Sequence, residues 1–433
     1  MSELRRQLTF TDATLLTVGV IIGGGIFVAP NLVARQLPSP PWIMAAWLAA
    51  GVLSLFGALA FAELGSMFPA AGGQFVYLRE AWGPLPAFLS GWTGFLVIYS
   101  GALAWLSVSF AAYLGEFVTL APWGSKLVSL AIIAAATLVN ALGARAGAKV
   151  QDALTVIKIA GLAIVIGAAF LSGERAAHAA AGTVSAGGFG LAMVACLLSY
   201  DGWVAIGMVA GEIRDPQRTI PRALFAGIGL VVAAYLAANF AYLRLLTPGE
   251  IAATDRVGAM AASRGMGAAG GAFLAALTMI SVAGSCNGWM LAVPRMYYAM
   301  ARDGVFFAQF AQVHQRFGTP ARAIVMQGLW AALLAVSGTY EALAAYAMFA
   351  TWIFYGLSVL GVLRLRRARP DAPRPYRMWG YPLTPLLFCT VAFGFVLNTL
   401  VQAPRPSFSA LGLIAAGLPA YWFWHRKRSE SPL

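Results

Sequence analysis

Charge is what this sequence has least of. Only 10% of its 433 residues are Asp, Glu, Lys or Arg and 60% are apolar, whereas an ordinary soluble domain carries about a quarter charged residues. With a mean hydropathy of +0.76, a soluble fold of this size is excluded. Cysteine is also scarce: Cys196, Cys286 and Cys389 each lie within an apolar run, which argues against a disulfide framework. The three histidines, His178, His314 and His425, fall in polar connections or near the C-terminal end. No His pair on one helix face can therefore hold zinc, and no Ser-His-Asp constellation can form inside an apolar segment. A phosphate loop ending in Gly-Lys-Ser or Gly-Lys-Thr is missing as well, so nothing couples the chain to ATP hydrolysis. These absences argue against an enzyme and against any cofactor.

What is present is a series of long uncharged runs. Ten stretches free of charge (13–34, 41–62, 81–115, 127–144, 223–243, 265–294, 323–340, 342–363, 378–404 and 406–424) reach the length needed to cross a bilayer, and 153–173 and 179–211 join them if Lys158 and Asp201 are allowed. The pattern predicts an all-α polytopic membrane protein with 12 transmembrane helices and no room for a soluble domain. Arg5 and Arg6 before the first run imitate a signal peptide, but eleven more runs follow, so the first is read as a helix of the polytopic array.

The 29 basic residues outnumber the 16 acidic ones, for a net charge of +13. With Lys158 set aside, 21 fall on the side of the N-terminus and 7 on the other when the runs alternate. That bias places both termini in the cytoplasm and accounts for the net charge. No basic patch is interleaved with stacking aromatics, which argues against a nucleic-acid partner.

Two runs are interrupted. The first contains Gly23-Gly24-Gly25 and the sixth contains Ser199-Tyr200-Asp201-Gly202-Trp203. Glycine costs about 1 kcal/mol of helix propensity relative to alanine, so a triplet favours local unwinding. Close packing through the Gly19/Gly23 pair is the plainer reading of the same residues. The matching break five runs later favours a site, because an odd offset inverts one unit relative to the other. A five-plus-five inverted repeat is therefore expected within a single domain over 1–433, with discontinuous helices 1 and 6. Repeat one covers about 10–173, repeat two about 187–368, and helices 11 and 12 are additions over about 378–424. Unwound half-helix ends expose N–H groups on one side and carbonyls on the other, a pairing that suits a zwitterion.

Lys158 and Asp201 are the two charges inside runs, where a charge costs about 2.5–3.5 kcal/mol on insertion scales. Lys158 either snorkels to the cytoplasmic interface or points inward to bridge span one to another helix and supply positive charge in place of a sodium. Asp201 either accepts hydrogen bonds from the unwound backbone around Gly202 or contacts a substrate ammonium or a proton. Span eight carries Ser281-Val282-Ala283-Gly284-Ser285-Cys286-Asn287-Gly288, whose small and polar groups also suit plain helix packing. Glu63, at the end of span two, is expected to pair with a base.

Ile21-Ile22-Gly23-Gly24-Gly25-Ile26-Phe27, Pro69-Ala70-Ala71-Gly72-Gly73-Gln74-Phe75-Val76-Tyr77-Leu78, Tyr200-Asp201-Gly202-Trp203, Gly211-Glu212-Ile213-Arg214-Asp215-Pro216 and Asn287-Gly288 through Arg302-Asp303-Gly304 together resemble the amino acid–polyamine–organocation superfamily. Within it they are most similar to bacterial members of the L-type amino acid transporter group. The resemblance implies alternating access to a central site. There the substrate carboxylate rests on the amides of Gly23, Gly24 and Gly25, and the α-amino group on carbonyls at Ile21, Leu198, Ser199 and Asp201. It also implies that Lys158, on span five, replaces a sodium and links to span eight near Ser285. The Pro69 to Glu80 stretch is expected to be re-entrant or interfacial. Gly24 stands where many members have serine, Leu198 where many have an aromatic gate, and Asp201-Gly202 where animal relatives have two glycines.

The expected activity is sodium-independent exchange of neutral L-amino acids across a cell membrane, the bacterial inner membrane. The alternatives are a proton-coupled permease for amino acids or polyamine-like cations, and a receptor that binds an amino acid without moving it. Animal relatives attach a glycoprotein through a cysteine between spans three and four. This chain has none between Glu116 and Lys126, so no covalently attached glycoprotein subunit is expected.

Overall fold

A computed structural model of the chain describes residues 4–177 and 183–430, with side chains at 340–345 and 427–430 left aside; His178 falls outside the described residues. The described chain is helical throughout, and a single isolated bridge joins Leu8 to Ile213. Helix α1 (Phe10–Ile21) is started by a capping box in which Thr9 and Asp12 satisfy each other's first-turn groups. It breaks at 22–24 and resumes, bent by 44°, as α2 (Gly25–Gln36). Then follow α3 (Pro40–Met67), the short α4 (Gln74–Trp82), and α5 (Pro84–Thr93), which runs through a π-turn at Gly94–Ile98 into α6 (Tyr99–Leu114). Helices α7 (Pro122–Ala141) and α8 (Ala144–Leu171) complete the first half.

The second half opens with α9 (Ala186–Ser199), which breaks before α10 (Ala205–Met208). Next come α11 (Pro216–Leu245), the two short helices α12 (Pro248–Ala253) and α13 (Val257–Met266), α14 (Ala269–Ala292) and its continuation α15 (Pro294–Arg302). Helices α16 (Ala321–Ser337), α17 (Tyr340–Ala368), α18 (Leu383–Gln402), α19 (Pro404–Ala415) and α20 (Gly417–Glu430) end the chain.

Among the described residues, ten segments are long and apolar enough to cross a bilayer, counting the bent pair α1–α2 as one. Two of the twelve expected runs fall short. The sixth is divided by the break after Ser199, and the ninth yields only the 17 residues of α16 before Gly338 turns left-handed at φ 76°. The other run boundaries shift by a few residues, because proline starts helices at 40, 84, 122, 216 and 404, where its missing N–H costs nothing. The Pro69 to Glu80 stretch does not span. It turns at Gly72 and Gly73, which have positive φ, and forms α4, wedged against α5 and α17.

The broken α1 is central, packed by α8, α11 and α14. Helix α3 is largely buried, whereas α7 and the α19–α20 pair present most of their surface outward. That difference explains the nearly continuous hydrophobicity of all of them: the inner helices meet protein and the outer ones meet lipid. The cysteines Cys196, Cys286 and Cys389 are buried and unpaired.

At the end of the molecule that holds the N-terminus, acids and bases pair. Glu63 accepts Arg366 at 2.5 Å and lies 3.6 Å from Arg374, as its membrane-edge position led us to expect. Arg79 bridges Asp303 and Glu80. Arg295 and Glu212 form a fully buried pair at 2.6 Å, and the amides of Gln7 and Leu8 both donate to the Glu212 carbonyl. The N-terminal segment is thereby strapped to the chain that follows the second break.

Candidate functional site

The first break follows from its glycines. At its start the Gly23 N–H turns back to the Ile21 carbonyl at 2.8 Å, and α2 begins at Gly25 with no side chain capping it. The amides of Gly24, Gly25 and Ile26 therefore lead a helix whose first-turn N–H groups lack intrahelical acceptors. The second break depends on Gly202, whose φ of 126° is a left-handed conformation that side chains resist. A Cβ there would lie 2.8 Å from Val20 and 3.1 Å from the Ile21 nitrogen, so the second break rests directly on the end of α1. A Cβ on Gly25 would come within 3.0–3.2 Å of Ser199. The two breaks are in contact.

Lys158 holds them from one side. It is 1% exposed, and its Nζ donates to the carbonyls of Gly19 at 2.8 Å, Ile22 at 2.7 Å and Ser281 at 3.0 Å. The ammonium does not reach the interface: it occupies a socket of three oxygens between α1 and α14, the environment a small cation would take. Ser281 Oγ donates to Ile22 and Gly23, and Ser285 Oγ to Gly19 and Val20. Lys158 thus meets span eight at the Ser281 carbonyl, while Ser285 makes its own link to α1 one turn away.

Tyr235, on α11, holds them from the other side. Its hydroxyl lies 3.1 Å from the Ile21 carbonyl and 2.9 Å from the Ser199 carbonyl, so one phenol bridges two of the carbonyls singled out from the sequence. The Ile21 carbonyl, which also receives Gly23, has both lone pairs engaged. Leu198 takes the Asp201 N–H at 3.4 Å, and its side chain is 38% exposed. Ser199 Oγ folds back on Ala195. The Asp201 carboxylate accepts the Tyr355 hydroxyl at 2.7 Å together with the Gly202 N–H. It is therefore engaged by backbone at the break, as one reading held, and also by a tyrosine from α17.

Residues outside the predicted binding positions form a buried polar chain. Thr155 donates to the Leu15 carbonyl, Gln151 to Thr155, and Asn287 to both Gln151 and the Gly147 carbonyl, while Asn140 donates to Asn287. Gln151, Thr155 and Lys158 share one face of α8 at helical spacing. A polar stripe on an apolar helix is a signal the sequence does contain. Tyr235 had none, being one of two tyrosines in an ordinary span. Among the described residues no group of His, Cys, Asp and Glu could hold a metal ion.

Broken helices that meet at the centre of a polytopic bundle, with half-helix ends and a buried lysine at the crossing, define a membrane carrier and not an enzyme. Residues 8–417 match the amino acid permease family, and the chain belongs to it. It is 32% identical to the mouse b(0,+)-type amino acid transporter 1 over 98% of this chain and 88% of that protein. Similarity extends to the serine/threonine exchanger SteT of Bacillus subtilis (strain 168), 29% identical over 99% and 98%, and to the human cystine/glutamate transporter, 30% identical over 98% and 87%. The protein is a multi-pass membrane transporter of amino acids, and the resemblance to the L-type group of the amino acid–polyamine–organocation superfamily is borne out.

Proposed function

We propose that the chain exchanges neutral L-α-amino acids across the cell membrane by alternating access, independently of sodium and with both termini in the cytoplasm. The observation that carries this reading is the Lys158 side chain bound to two carbonyls of the first broken helix and to that of Ser281 on α14. A lysine side chain resident in that socket does the work of a coupling ion without one being transported. The Bacillus relative is a serine/threonine exchanger, which supports both exchange and a small neutral substrate.

In this reading the substrate carboxylate rests on the leading amides of α2 at Gly24 and Gly25, where the half-helix end is electropositive. Gly23 contributes by shaping the turn, since its own N–H is already used. The ammonium bridges the Ile21 and Ser199 carbonyls in place of the Tyr235 hydroxyl proton, and Leu198 and Asp201 border the substrate side chain. Two five-helix repeats, about 10–173 and 187–368, rock against each other, helices 11 and 12 are peripheral, and no covalently attached partner is needed.

The test is counterflow in proteoliposomes containing the full chain. Uptake of labelled serine or alanine should be faster into vesicles preloaded with amino acid and unchanged when sodium is replaced by choline. Equal uptake into empty vesicles would remove exchange from the proposal, and a sodium requirement would remove the role given to Lys158.

A further inference from the structure

The end of α17 carries a dense run of arginines that do not all behave alike. Arg366 pairs with Glu63, Arg369 with Glu80, and Arg374 approaches Glu63. Arg364 and Arg367 are exposed, and among the described residues neither has an acidic partner. Instead they line a groove of about 780 Å³ between the end of α17, Trp82 at the end of α4, and the start of α18. The Arg364 guanidinium lies 4.8 Å from the centre of the Trp82 ring, which fixes its position at the rim.

The other walls are apolar. Leu360 and Leu363, one turn deeper on α17, and Leu386 on α18 line the groove. The α18 face continues outward through Leu383, 63% exposed, and Leu387, 44% exposed. Cations at the rim, an aromatic beside them and an open leucine face running into the bilayer match a lipid with a negatively charged head and an acyl tail. A soluble phosphate would use only the arginines and leave the leucine face without a partner.

We infer that this groove is a binding site for an anionic phospholipid, with Arg364 and Arg367 holding the phosphate and the Leu360, Leu363 and Leu386 wall taking the acyl chain. Each basic residue near a headgroup is worth about 1 kcal/mol, so the pair should favour an anionic over a zwitterionic lipid by about 30-fold.

Native mass spectrometry of the full chain in detergent, with phosphatidylglycerol and phosphatidylcholine compared at equal concentration, tests this. The wild type should retain phosphatidylglycerol selectively. R364Q/R367Q should lose about 30-fold of that preference, R364K/R367K should keep most of it, and L386Q should weaken retention with both arginines in place. R316Q/R322Q, which removes the same charge from exposed positions in the turn before α16 and in its first turn, should bind like the wild type. An equal loss in R316Q/R322Q would reduce the effect to diffuse surface charge and overturn the site. Full displacement of the lipid by millimolar glycerol phosphate would show that the headgroup alone binds and overturn the lipid assignment. If R364Q/R367Q does not fold, R364K/R367K and L386Q decide the matter, since unchanged binding in L386Q excludes the leucine wall.

Discussion

Two side chains, Lys158 and Tyr235, hold the crossing of the two breaks, and they differ in what their loss would leave behind. Replacing Lys158 with alanine removes three bonds, each worth about 1.5–3 kcal/mol for a charged donor, and leaves the Ile22 and Gly19 carbonyls with only the Ser281 and Ser285 hydroxyls as side-chain donors. Counterflow by Lys158→Ala should fall at least about tenfold, and the variant should melt at a lower temperature. Transport at the wild-type rate would mean that the socket can be satisfied without the ammonium. Tyr235→Phe is milder: it removes one hydroxyl and leaves no cavity. A bond of about 0.5–1.5 kcal/mol corresponds to about a 2–10-fold change, expected in the apparent affinity for substrate more than in stability. Lys158 could be singled out from the sequence because a charge among apolar residues is conspicuous. Tyr235 could not, because a tyrosine in a membrane span is common and only the crossing of α11 over both breaks brings its hydroxyl to two distant carbonyls.

At the scale of helices, the positions that matter are those where two elements approach too closely for a side chain. Gly202 combines a left-handed backbone with contact against the end of α1, and Gly202→Ala would have to strain the break or move α1 away. A residue held in such a conformation costs about 1–3 kcal/mol, so a lower melting temperature and loss of counterflow are expected together. Asn287 is the hub of the polar chain linking α7, α8 and α14. Asn287→Ala should loosen that scaffold, read as lower thermal stability, while Asn287→Gln should restore it only in part because the extra methylene has to be packed.

The short α12 offers a pH-dependent case outside the spans. The Arg264 guanidinium, with help from the Thr247 N–H, holds the Glu250 carboxyl at about 2 instead of its ordinary 4.5. This contribution is complete above about pH 4.5 and disappears as the pH falls through about 2. Glu250→Gln should therefore flatten the acid limb of a melting-temperature profile. The triple glycine and the Tyr200 to Trp203 interruption were legible as breaks. The register that sets Gly25 against Ser199, and Gly202 against Val20, was not, since sequence spacing carries no information about which faces of two distant helices meet.

Over the whole molecule, the buried pair of the Glu212 carboxylate and Arg295 joins the chain after the second break to the start of α15, and the N-terminal strap attaches to the backbone carbonyl of the same Glu212. Breaking a buried pair from one side leaves an uncompensated charge worth about 3–5 kcal/mol. Glu212→Gln should accordingly destabilise the protein more than any single substitution among the exposed arginines, and the apolar double variant Glu212→Leu with Arg295→Met should recover part of the loss. Thermal unfolding of the three proteins in one detergent checks the order. The charge bias that marks one side of the membrane is thus two populations: arginines committed to acids inside the bundle, and arginines left at the rim of the membrane.

By itself the sequence determined that the chain is a bundle of membrane helices, where its two interruptions lie, and that Lys158 and Asp201 require an explanation. All of these are local properties: transfer free energy, glycine's weak helix propensity, and the cost of a charge in hydrocarbon. Only the tertiary structure decided that Lys158 turns inward to three carbonyls, that Tyr235 ties one break to the other, and that Asp201 answers to Tyr355. Those contacts join residues 36 to 214 positions apart. In a uniformly apolar helix no hydrophobic stripe tells which side faces a neighbour, so the rotation of each helix is set by where its few polar groups find partners, and that is known only when all the helices are in place.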